Sequence, residues 1–119
     1  PEIAKKKLAD CCDVFVDKGY YTLEEAKLIF EGAKALGIPS KIHADELHNT
    51  ESANFAVDID AWSADHLLKI SESSVRRISH SNTVAVLLPG TAFYLKAPYA
   101  PARNLIDEGA RVAISTDFN

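Results

Sequence analysis

A chain of 119 residues, 47% hydrophobic and 25% charged, has the size and balance of one soluble globular domain spanning residues 1–119, with a modest core. Its net charge of -4 is the wrong sign for a nucleic-acid groove, which needs a basic face. No apolar run approaches the ~18 residues of a membrane span and no charged-then-apolar leader is visible, so neither a membrane partner nor a secretory signal is expected.

In chain order, residues 1–10 read as a short helical or loop entry that puts Lys5, Lys6 and Lys7 in solvent. Residues 11–17 alternate as a strand and stop at the turn signal Lys18-Gly19. Cys11 and Cys12 are adjacent and cannot bridge to each other without strain. They read as small buried hydrophobes in a reducing compartment, which points to the cytoplasm. Thr22-Leu23-Glu24-Glu25 is a capping box, and Ala26, Ile29, Ala33 and Leu36 repeat at helical spacing until Gly37 and Pro39 end the helix. Ser40–Glu46 is the next strand, with Ile42 and Ala44 on one face and Lys41 and His43 on the other. Thr50 is the expected N-cap of a short helix carrying Ala53, Ala56 and Val57. Residues 61–66 form a third strand. Ser71 caps a helix with Val75 and Ile78 inward and Arg76 and Arg77 outward. Residues 83–88 form an almost continuous apolar strand closed by Pro89-Gly90, and residues 91–100 read as a long loop. Pro101 opens a last helix through Leu105 and Ile106, and residues 111–117 are the final strand.

Strands therefore begin near 11, 40, 62, 83 and 111, with a helical pattern in each gap. That is the cadence of a parallel α/β sheet with crossover helices, apolar on both faces where helices and a barrel core cover it. Three polar clusters fall at the C-terminal ends of these strands: His43-Ala44-Asp45-Glu46, Asp65-His66 and Thr116-Asp117-Phe118-Asn119. In parallel α/β folds that edge assembles the active site. Imidazole and carboxylate suit a borderline divalent ion that activates water, so His43 and Asp117 are candidate metal ligands. Glu46 is a candidate proton shuttle to a leaving nitrogen, and His66 a candidate to polarise a carbonyl.

The strings Lys41-Ile42-His43-Ala44-Asp45-Glu46, Ser63-Ala64-Asp65-His66-Leu67, Thr83 through Thr91 with its Leu-Leu-Pro-Gly-Thr ending, and Ser115-Thr116-Asp117-Phe118-Asn119 together resemble the imidazolonepropionase family of amidohydrolases, over essentially the whole chain. The resemblance implies a parallel (β/α)8 TIM barrel, of which this chain would supply about five βα units, strands four to eight. It implies one zinc or iron ion and hydrolytic opening of the ring C–N bond of 4-imidazolone-5-propanoate, giving N-formimidoyl-L-glutamate in histidine degradation. By position, His43 and Asp117 correspond to metal ligands, and Glu46 to the substrate-binding acid/base. His66 corresponds to the histidine near the substrate oxygen, and Asn119 to a residue contacting substrate or product.

The superfamily's first-strand His-x-His pair is absent from these 119 residues. His48 and His80 read as surface residues, since neither offers that spacing. The lack of Met and the ending on a polar motif suggest a fragment of something longer. Without the first-strand pair it is expected to bind zinc weakly and to be inactive alone; the intact form is expected to act on a small molecule and to be a homo-oligomer, a dimer. Two rivals stand beside this reading: a deaminase of the cytosine or guanine type, and a non-catalytic half-barrel. Asp45 and Asp65 are expected to be structural hydrogen-bonders, Tyr94 and Tyr99 to pack their loop, Arg103 to face solvent, and Trp62 to be core or helix-packing surface.

Overall fold

The computed structural model describes residues 2–118. Five parallel strands, β1 (Cys12–Phe15), β2 (Ser40–Ala44), β3 (Ser63–His66), β4 (Val84–Leu87) and β5 (Val112–Ile114), lie side by side in chain order. A doubly wound sheet reverses its strand order at a switch point, whereas a barrel wall grows in one direction. The order here never reverses. The connecting helices are α2 (Leu23–Ala35), α3 (Ser52–Asp58), α4 (Glu72–Ser79), and α5 (Pro89–Tyr94) with α6 (Ala102–Asp107); a short α1 (Glu2–Lys6) precedes β1.

The two faces of the sheet differ. Val14, Ile42, Ala44, Ala64, Ala85 and Leu87 point to the helices and form one core with Ala26, Phe30, Ala53, Ala56, Val75, Ile78 and Leu105. The register Asp13↔Lys41↔Ser63↔Val84 and Phe15↔His43↔Asp65↔Val86↔Ala113 defines the opposite face, the inside of the barrel wall. Alternation along each strand thus sends apolar side chains to the helices and most of the chemistry inward.

The five strands, α2 with its capping box, α4 with its Ser71 cap and α6 behind Pro101 lie where the sequence puts them. Some local expectations are corrected. The buried stripe of α2 is Ala26, Phe30 and Ala33, while Ile29 and Leu36 are exposed. Thr50 is not the N-cap of α3; Glu51 holds that position in a left-handed conformation and its side chain makes no capping bond. Residues 89–94 are helical rather than loop, because a proline at the first helical position lacks only an N–H that the helix would leave unbonded. Tyr94, Tyr99 and Trp62 are exposed instead of packed down, and Cys11 and Cys12 are half-buried thiols.

Candidate metal centre and active site

Each side chain at the site is delivered by the end of a strand. His43 sits on the inward face of β2, one residue before its end. Its Nδ1 lies 3.1 Å from Oδ1 and 2.9 Å from Oδ2 of Asp13 on β1. A hydrogen bond to that carboxylate raises the His43 pKa, and burial opposes the rise. Asp13 is pulled down: burial alone would raise it, but the bond to His43 and the nearby charges of His43 and Lys41 outweigh burial.

His66 ends β3. Strict pleating would send it to the helix face with Ala64, but its backbone is left-handed, φ +78, and so is that of Leu67, φ +59. The ring consequently lies 5.0 Å from the ring of His43. His66 is 1% exposed, and neither of its ring nitrogens has a hydrogen-bond partner. The Oε1 atom of Glu46 approaches Nδ1 only to 3.5 Å, too loosely to count as a bond. Burial lowers the His66 pKa, with the charge of His43 adding to the effect, so the ring is held neutral. Glu46 is buried at the same edge; burial raises its pKa and Asp117 and Asp17 add to the rise, against His43.

Asp117 follows β5, again with a left-handed backbone, φ +57, and its Oδ2 accepts a 2.7 Å hydrogen bond from the Thr91 hydroxyl at the start of α5. One donor atom each from His43, His66 and Asp117 lies within 4.8 Å of the others. Two imidazoles and a carboxylate at this spacing are a donor set for a borderline divalent cation. The orphaned nitrogens of His66 give the same fit, since a buried ring with no partner is costly unless something binds it. Non-glycine residues in left-handed backbone cost ~1–3 kcal/mol each and concentrate where function over-determines geometry.

Four of the site residues named from sequence, His43, Glu46, His66 and Asp117, are therefore neighbours at one rim; the fifth, Asn119, lies outside the described residues. Sequence reasoning missed Asp13, Thr91 and Asp17. The place of Asp13 shows only once β1 is paired with β2, which sets it on the same inward face as His43. Asp17, just past β1, has a buried carboxylate that accepts from the backbone N–H of Lys18 (2.7 Å), Leu47 (2.7 Å) and His48 (3.2 Å). It also lies 2.7 Å from Nδ1 of His48. His48 is thus tied to the rim by this pair. Asp45 and Asp65 are buried hydrogen-bonding or ion-pairing groups, and Arg103 faces solvent beside Asp107.

No family model matches the chain. Curated proteins do: imidazolonepropionase of Porphyromonas gingivalis is 45% identical over all 119 residues, and that of Geobacillus sp. (strain WCH70) is 47% identical over the same span. The chain's relatives are imidazolonepropionases. It spans 28% of the length of these two, within their C-terminal part, and 29% of the imidazolonepropionase of Phocaeicola vulgatus, to which it is 45% identical. Among solved structures, a zinc-bound adenosine deaminase from Xanthomonas campestris superposes with a TM-score of 0.78 and 15% identity, over 98% of this chain and 31% of that one. A guanine deaminase from C. acetobutylicum with bound guanine superposes at 0.67 and 16% identity, over 83% and 28%. Identities this low speak for the fold alone: five parallel strands in one wall with helices on one side, as in part of a parallel α/β barrel.

Proposed function

We propose that this chain is the part of an imidazolonepropionase that carries the late-strand metal ligands and the proton-transfer carboxylate. The reaction is metal-dependent hydrolysis of the ring C–N bond of 4-imidazolone-5-propanoate to N-formimidoyl-L-glutamate. The observation that carries the reading is the buried His66 ring, with both nitrogens unpartnered, beside His43 and Asp117. His43 and Asp117 would hold the zinc or iron ion, with the unpartnered His66 ring beside them left to face the substrate. A cation bound there supplies Lewis acidity toward water and the substrate carbonyl.

The remaining work falls to the chain's own side chains. His66, kept neutral by burial, has one N–H to donate to the oxygen that gains charge at the reacting carbon. Glu46, whose pKa burial raises, is suited to take a proton from the attacking water and return it to the leaving ring nitrogen. Thr91 holds the Asp117 carboxylate in one orientation through its 2.7 Å hydrogen bond. Asn119 is assigned to substrate contact by its position in the family-like Asp-Phe-Asn string. On this proposal the substrate is a small molecule and the intact enzyme a cytoplasmic dimer.

The test is a chimera in which this chain replaces the matching segment of the P. gingivalis imidazolonepropionase, which its 45% identity makes practicable. The chimera is expected to form N-formimidoyl-glutamate, and Asp117→Ala or His66→Ala within it to abolish product. A deaminase is the second reading, because solved deaminases share the fold. Release of ammonia from aminated bases, with no ring opening of the imidazolone, would establish that reading and overturn the first.

A further inference from the structure

We propose that Asp13 is a positioning residue: its carboxylate on Nδ1 fixes the His43 ring so that Nε2 is the nitrogen presented to His66 and Asp117. This rests on the metal-centre reading above and adds to it a group on the neighbouring strand. The argument begins with valence. A carboxylate can only accept, so a ring nitrogen 2.9–3.1 Å from both oxygens of Asp13 carries the proton, and in the neutral ring the lone pair must then sit on Nε2. A free imidazole has no such commitment. The bond therefore selects both tautomer and ring orientation, which is what a carboxylate behind a metal-binding histidine does.

The surroundings support a held pair over a chance surface contact. Asp13 and His43 lie on the inward face of adjacent strands, and Asp13 stands in register with Lys41. The Lys41 ammonium lies 3.3 Å from Oδ2 of Asp65, which is buried on β3 and in register with His43. Acid, base and acid therefore succeed one another across β1, β2 and β3 beneath the rim.

The experiment reads the His43 tautomer in the metal-free full chain by long-range nitrogen–proton NMR, at a pH well above the ring's titration. The wild type is expected to show Nδ1–H. Asp13→Ala, with its far-ultraviolet circular dichroism unchanged, is expected to shift the ring toward Nε2–H and to weaken zinc binding by about 10–100-fold in competition with a chromogenic chelator. Asp13→Asn, which keeps an acceptor oxygen, is expected to recover part of that loss. An Nε2–H ring in the wild type overturns the proposal, and so does an Asp13→Ala chain with Nδ1–H and undiminished zinc affinity. If Asp13→Ala does not fold, the wild-type tautomer still decides. Failure of the metal-centre reading looks different: zinc then binds equally to wild type and Asp117→Ala, whatever the tautomer.

Discussion

The carboxylate of Asp45 is buried at the end of β2 and accepts from the backbone N–H of Thr50 (2.8 Å), Ser52 (3.3 Å) and Ala53 (3.2 Å). It does for the first turn of α3 what the N-cap residue Glu51 does not. Asp45→Ala should destabilise the chain by about 2–3 kcal/mol, since several buried amides lose a charged acceptor. Asp45→Asn should cost less, because asparagine tolerates the left-handed backbone, φ +47, and keeps one acceptor. Urea titrations of the three proteins check the order. Asp17 makes a different prediction. Burial pushes its pKa up, but His48 and three backbone amides pull it below the ordinary carboxylate value. The unfolded residue titrates near ~3.9, so the folded state holds the proton less tightly. The stabilisation is complete above that value and is lost as the pH falls through the lower, folded one. Asp17→Asn should therefore flatten the stability profile in acid, and an unchanged acid limb in pH-resolved denaturation would refute the assignment. At this scale the sequence was legible where a residue's type and its place at a strand end suffice, as for His43, Glu46, His66 and Asp117. It was opaque where the role depends on which strand lies alongside. Nothing local marks Asp13 as the partner of a residue 30 positions away, or Thr91 as the partner of Asp117.

Helix α2 was readable because its boundaries are chemical: Thr22 and Glu25 bond reciprocally at one end, and Gly37 with φ +72 and Pro39 stop the other. Its buried face was less readable, since Ile29 and Phe30 are neighbours and only the angle of packing against the sheet selects between them. Phe30 won. It is 3% exposed and packs its ring 6.2 Å from that of Phe55 on α3, at the floor of a groove of about 760 Å³ between the two helices. Phe30→Ala should cost about 3 kcal/mol, the low end for a buried aromatic, because the groove gives the site room to relax. Leu28→Ala, two residues away and 70% exposed, should stay within about 0.5 kcal/mol of wild type. Equal losses in the two variants would mean that α2 is rotated from the orientation described. Helix α5 was missed for the reverse reason: Pro89-Gly90 can close β4 or open the first turn of a new helix, and short-range pattern cannot tell which.

For the molecule as a whole, a barrel closes its wall and an open wall cannot. Among the described residues β1 pairs only with β2, and β5 only with β4, so two strand edges present unpaired backbone groups. The β5 end is also apolar: Ile114 is 78% exposed and Phe118 93%. The cadence of strands and helices foretold the parallel wall, but no pattern within 119 residues could reveal what would lie against its edges. Natural edge strands are blunted with lysine, proline or bulges, and β5 offers Val112, Ala113 and Ile114 instead. Exposed backbone and exposed isoleucine together favour pairing with another chain. The 119-residue chain should therefore self-associate at micromolar concentration, visible as concentration-dependent sedimentation in the ultracentrifuge. Ile114→Lys places a charge on that edge at a position that is in register with Leu87 but open to solvent, and should return the chain toward monomer while leaving its far-ultraviolet circular dichroism unchanged. A wild type that sediments as a clean monomer and melts in one sharp transition would show that the open edges are protected by some other means. Loss of association in Ile114→Lys, with the fold retained, would locate the interface at β5.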